Sequence, residues 1–177
     1  MSLKTISARA AGAAAAAMMA AVFATPTQAD IAYGDVITIH ESITINESPV
    51  AIWTKFGNYC AIPTWVPPIK SCVYEEGDGQ LGSVRRLDID GIGEVVELMS
   101  VRGQTLYTYE MTEGFLTDAK YRSTIWAVPG TSAGTAEVHW KTTILRSAFP
   151  DDGGVGIATT LSGLYQASLG ELKRLAE

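Results

Sequence analysis

The stretch Val155–Ala176 limits what this chain can fold into more than any other. Ile157, Leu161, Leu164, Ser168, Leu172 and Leu175 recur at steps of three and four, so they share one helical face. Tyr165 and Leu169 widen that face, and Thr159, Ser162, Gln166 and Lys173 sit opposite. A helix of this length spans about 30 Å, the width of a small domain. The chain before it, from residue 69 on, reads as short strands separated by glycine-bearing turns. A lone amphipathic helix after a run of hairpins has only that sheet on which to bury its apolar side. Gly156, Gly163 and Gly170 are spaced by seven and form a stripe beside the polar arc. That stripe is either plain solvent-side helix or a smooth strip for a ligand or partner.

The N-terminal segment reads differently. Lys4 and Arg9 precede an alanine-rich apolar run, Ala10 to Ala24, and Thr27-Gln28-Ala29 supplies small residues where a signal peptidase reads. The expectation is a signal peptide over 1–29, cleaved after Ala29, with one domain over 30–177. The apolar run is short for a membrane span. Losing Lys4 and Arg9 moves the formal charge from −6 to −8. Such a surplus of acid argues against nucleic acid or an anionic membrane as partner. A small molecule or a basic protein fits better, and a periplasmic location is expected.

Export bears on the two cysteines. Cys60 and Cys72 are the whole complement, and an oxidising compartment favours joining them. Two free buried thiols are the alternative. Two cysteines without a neighbouring histidine do not make a metal site.

In chain order, Val36–Asn46 alternates isoleucines with polar residues, a strand with one buried face. Glu41 falls on the isoleucine side, at its wet end or in a cavity. Ser48-Pro49 starts a short helix that ends at Gly57. Asn58 to Ile62 can form a second turn before Pro63, Pro67 and Pro68 stiffen the chain. Strands are then expected at 69–76, 82–90, 94–101, 105–112, 120–128 and 134–147, seven in all with the first.

This order of strand, two short helices, six strands and long helix resembles the START/Bet v 1-like superfamily. That group is also called SRPBCC and includes the polyketide cyclase/dehydrase proteins. The residues that carry the resemblance are Ser48-Pro49-Val50-Ala51-Ile52-Trp53, Phe56-Gly57, Ile69-Lys70-Ser71-Cys72, Gly82-Ser83-Val84-Arg85-Arg86-Leu87, Glu97-Leu98, Leu164-Tyr165 and Leu172-Lys173. It implies an α+β helix-grip fold, a seven-stranded curved antiparallel sheet wrapped around the C-terminal helix. It also implies a cavity for an apolar or amphipathic molecule. The same runs are similar to those of plant abscisic-acid receptors, and that match implies that Lys70 and Glu97 point polar groups inward. The receptors' gate sequence is absent, with Asp90-Gly91-Ile92-Gly93 in its place. The chain is also similar to the MxaD family, periplasmic accessory proteins of bacterial methanol oxidation. That likeness implies a periplasmic redox protein as partner.

Lys70 and Glu97 either receive a ligand's polar head, pair with each other or sit at a rim. Of Arg85 and Arg86 only one can face inward, because strand neighbours point oppositely. Tyr109, Tyr121 and Trp140 have the apolar body and polar tip that suit a cavity wall. No nucleophile–histidine pair, metal cluster or cofactor motif is visible. Two function classes remain: a non-enzymatic binding or accessory module, and a cyclase or dehydratase. The second would need an acid–base pair such as Glu97 with Tyr109 or His139.

Overall fold

The computed structural model describes residues 34–177. The expected signal segment, 1–29, lies outside the described residues. Seven strands, β1 (Val36–Ile45), β2 (Ile69–Glu76), β3 (Val84–Ile89), β4 (Gly93–Arg102), β5 (Leu106–Glu113), β6 (Arg122–Pro129) and β7 (Ala136–Leu145), form one antiparallel sheet. Its order is β1-β7-β6-β5-β4-β3-β2. Five successive hairpins from β2 to β7 build it, and β1 closes against the last of them. The helix α1 (Pro49–Phe56) follows β1, and α2 (Val155–Ala176) ends the chain. This is the helix-grip arrangement.

Local chemistry explains the element ends. Ser48 accepts a hydrogen bond from the Ala51 amide at 3.2 Å, and Pro49 supplies a pre-set first helical residue. At the start of α2 Gly154 is left-handed and its side-chain cap is missing. Asp152 serves instead, taking the Gly154 and Gly156 amides at 2.8 Å each. Those bonds hold the Asp152 carboxyl below its ordinary range. In the β3–β4 hairpin Gly91 and Gly93 both have positive φ, which L side chains rarely adopt.

Two expectations need correction. The second short helix is a single 3-10 turn over Ile62–Thr64; the segment from Asn58 expected to form it makes one hydrogen-bonded turn, Ala61 N–H to the Asn58 carbonyl at 3.0 Å, just before it. Pro63 lies inside it, where a missing amide costs nothing because first-turn amides are unpaired anyway. The buried face of α2 is the expected one except in its last turn, where Ala176 takes the place expected of Leu175. Leu161, Tyr165, Ser168, Leu169, Leu172 and Ala176 are buried, while Leu175 is 39% exposed. The steps of four from Leu161 to Tyr165 to Leu169 and from Leu172 to Ala176 carry the contact line away from Leu175.

The side of α2 expected to be polar lies partly along β1. Ser162 and Gln166 donate to the two oxygens of Glu41, and Lys173 donates to the Thr44 carbonyl at 2.7 Å. Glu41 thus occupies the wet margin of the isoleucine face. Gly163 and Gly170 face open space, while Gly156, the first member of the glycine stripe, lies against Asp152.

Cys60 and Cys72 form a disulfide with Cα atoms 5.4 Å apart. It ties the segment after α1 to β2. Among the described residues no helix is long and apolar enough to cross a membrane.

Candidate ligand cavity

Between the inner face of the sheet and α2 lies a cavity of about 110 Å³. Its walls come from four places. Ile62 and Val66 lie in and just after the 3-10 turn. Leu87, Glu97, Tyr109, Met111, Tyr121 and Trp140 belong to the sheet or its margin. Leu161 and Tyr165 project from α2. Ile92, Phe115, Ile157 and Leu164 surround the mouth. Ile92 and Phe115 are half exposed at the tips of two loops. Ile157 and Leu164 are only half-buried because the cavity, rather than the sheet, lies beneath them. The lining is overwhelmingly apolar with few polar tips, the composition expected of a small-molecule site.

Tyr109, Tyr121 and Trp140 all line the cavity wall. Trp140 stacks on Tyr165, with ring centroids 4.1 Å apart. Its indole N–H donates to Ser123 Oγ at 2.8 Å. Ser123 and Thr142 share a hydrogen bond of 2.8 Å, Thr142 and Tyr165 one of 2.6 Å, and Tyr165 and Tyr121 one of 3.0 Å. The chain of hydroxyls holds α2 against β6 and β7 and fixes the rotamers of the wall. Burial pushes the hydroxyls of Tyr109, Tyr121 and Tyr165 above their ordinary range, so all three stay neutral.

Glu97 is the one carboxylate in the wall, and Arg85 is its partner. The two residues face each other across β3 and β4. Arg85 Nε donates to Glu97 Oε2 at 2.8 Å. Nη2 lies 2.7 Å from the same oxygen without hydrogen-bond alignment. Nη1 donates to the Tyr59 carbonyl. The guanidinium is fully buried, 3.8 Å from the centroid of Tyr59 and 4.9 Å from that of Tyr109. Burial works against the charge of Arg85, but Glu97 and the surrounding tyrosines more than compensate and it stays protonated. Burial pushes the Glu97 carboxyl above its ordinary 4.5, with Arg85 pulling it back.

Lys70 is the correction. It was expected to point inward, yet it is exposed on the outer face, with Nζ 2.7 Å from Asp90. Strict alternation with Cys72 and Tyr74 would turn it in. The register between β2 and β3 shifts, however, so that Ile69 pairs with Ile89 while Ser71 pairs with Asp88. Lys70 is the extra residue of that shift, and Ile69 takes the inward place. Lys70 and Glu97 therefore do not meet.

Arg85 is the residue that sequence reasoning left undecided. The signal was present: a β3–β4 turn centred on Gly91 places Arg85 opposite Glu97 and Arg86 opposite Val96. His139 does not reach the cavity. It lies on the outer face, stacked with Trp126 at 4.6 Å and bonded to His40 at 3.2 Å. Burial and the neighbouring His40 lower its pKa against the opposite pull of Glu137. That removes it as a partner for Glu97 in acid–base chemistry. Among the described residues no cluster of three or more metal-ligating side chains forms.

A curved seven-stranded sheet gripping a C-terminal helix around an apolar cavity defines a ligand-binding domain of the SRPBCC, or Bet v 1-like, superfamily. Within it the chain belongs to the family described as "Polyketide cyclase / dehydrase and lipid transport", which matches residues 36–177. Members of this fold family bind hydrophobic small molecules. Among solved structures, the protein XoxI from Bacillus cereus is 27% identical with a TM-score of 0.66, over 78% of this chain and 94% of that one. An uncharacterized protein from Bacillus thuringiensis is 27% identical with a TM-score of 0.64, over 79% and 98%. Ara h 8.0201 shares the fold at 20% identity and a TM-score of 0.57, over 77% and 97%. No curated protein matches the chain.

Proposed function

We propose that the protein is an exported, non-catalytic carrier or accessory protein that holds an apolar or amphipathic small molecule in this cavity. The observation that carries the reading is the composition of the wall: a nearly all-apolar enclosure with Glu97 as its single carboxyl group. A binding role needs only that enclosure. The proposed compartment is the periplasm, supported by the signal-like segment 1–29 and by the Cys60–Cys72 disulfide. The proposed protein partner is a basic periplasmic redox protein, such as a methanol dehydrogenase or its cytochrome. It is supported by the acid surplus and by the resemblance to the MxaD family.

The test begins with protein isolated from the periplasm under native conditions. N-terminal sequencing should find a chain beginning at Asp30. Native mass spectrometry should find an added small-molecule mass that disappears on denaturation. A protein that retains nothing, and takes up no apolar compound in calorimetry, defeats the reading.

One observation favours a second reading, a cyclase or dehydratase. Glu97 is a carboxyl raised by burial inside a cavity that also presents Tyr109, and such groups serve as general acids and bases. Multiple turnovers of the recovered molecule, lost in Glu97→Gln, would replace the binding reading with this one.

A further inference from the structure

We infer that the cavity selects a neutral molecule whose polar end donates a hydrogen bond, a hydroxyl compound rather than a carboxylate. The inference rests on the small-molecule reading above and specifies the chemistry of its ligand. It starts from an asymmetry in the buried ion pair. Both Arg85 contacts to Glu97 fall on Oε2. Oε1 accepts no hydrogen bond from the described residues and, unlike Arg85 Nη2, is not sealed from contact, so a molecule in the cavity can reach it. A ligand that covers this oxygen removes it from water, which is costly unless the ligand brings a donor of its own.

The charges around it exclude the other ligand classes. Arg85 stands behind Glu97, outside the wall; its Nε and Nη1 are committed to Glu97 and the Tyr59 carbonyl, and its Nη2, without an aligned hydrogen bond, is sealed from contact beside Glu97 Oε2. Lys70, the other cation expected here, faces solvent beside Asp90. A carboxylate entering the cavity would therefore lose its water, meet the negative charge of Glu97 and find no free cation. The tyrosine hydroxyls offer neutral dipoles, and those of Tyr121 and Tyr165 are already engaged with each other. A ligand ammonium would compete with Arg85 for Glu97, with two cations then sharing one carboxylate. A hydroxyl avoids both conflicts, because it brings a donor for Oε1 and no net charge. Its hydrogen bond to an ionised acceptor is of the stronger kind.

The experiment is isothermal titration calorimetry of the wild-type protein, residues 30–177 with the disulfide intact, against octanol, octanoate and methyl octanoate. A pH of about 8 keeps octanoate ionised. The three probes share a chain length and differ in charge and in donor capacity. The expected result is a Kd for octanol at least about tenfold below that for octanoate, and below that for methyl octanoate, which can only accept. A smaller ratio, or tighter binding of octanoate, overturns the inference and leaves the small-molecule reading standing. Methyl octanoate binding as tightly as octanol also overturns it, since the donor would then be irrelevant. Failure of all three to bind overturns the small-molecule reading and the inference with it. In Glu97→Gln the octanol preference should shrink, because the amide presents its own donors. An unchanged preference in a folded variant overturns the assignment to Glu97. If that variant does not fold, the wild-type ratios decide alone.

Discussion

Arg85 and Arg86 are neighbours in the chain and live in different media. Arg85 is sealed among Tyr59, Tyr107 and Tyr109 with a single carboxylate partner. Arg86, on the opposite face of β3, lies 2.6 Å from Glu75, 3.2 Å from Glu94 and 3.7 Å from Glu113, all in contact with water. A count of ion pairs would rank the outer cluster higher. Physics ranks it lower, because exposed pairs are screened by solvent and salt. The inner pair is desolvated, so removing either member strands the other. The number of partners says little; the medium decides.

Replacing Arg85 should break the comparison most sharply. Arg85→Met leaves Glu97 buried without its cation and should cost about 3–5 kcal/mol in urea unfolding. The deficit should depend on pH in a definite direction. Without Arg85 the Glu97 carboxyl rises further above 4.5, so the folded state holds its proton more tightly than the unfolded chain does. Stability from such a group is full below the unfolded value and lost as pH rises through the folded one. Unfolding curves for variant and wild type should therefore converge as pH falls from neutral toward 4.5.

The disulfide comes next. Replacing both Cys60 and Cys72 with serine releases the loop whose Tyr59 carbonyl holds Arg85, and should cost about 3 kcal/mol, read as a melting temperature lower by several degrees. Thiol titration of the native protein after denaturation without reductant should find no free thiol.

A smaller effect is expected from Tyr165→Phe, which deletes the hydroxyl shared with Thr142 and Tyr121. It should lose about 1 kcal/mol while leaving the ring on Trp140 in place. The smallest effects belong to the outer face. Arg86→Ala should move the melting temperature by no more than about two degrees, and less at high salt. Lys70→Ala should leave the Kd for octanol unchanged. A large loss of binding there would mean that β2 adopts the regular register with Lys70 turned inward.

The fold was largely legible because its signals are periodic. The isoleucines of β1, the glycine-bearing turns and the apolar spacing of α2 each report a local geometry that the tertiary structure then uses. The site was harder to read because it depends on parity. Tyr109, Tyr121 and Trp140 obey simple alternation and line the cavity. Lys70 was misplaced because one extra residue in β2 reverses alternation, and nothing in Ile-Lys-Ser-Cys marks where it falls. Leu175 was misassigned for a related reason. Near a helix end steps of three and four diverge, and only the surface beneath α2 selects Ala176. The Arg85–Glu97 pair required a turn centre as well as two residue types, and Gly91 supplied it.

The extra residue in β2 has a second consequence. Among the described residues β2 is the last strand of the sheet, so one row of its amides and carbonyls has no neighbouring strand there. Such an edge can recruit another chain and seed aggregates, and Val73, 61% exposed, would add an apolar foothold. The irregularity interrupts the flat ladder that an incoming strand would need. The same displacement places the Lys70 ammonium at that margin, with Glu75 further along, so the approach is both bent and charged. The residue that deprives the interior of a cation therefore helps keep the domain from polymerising through its open side.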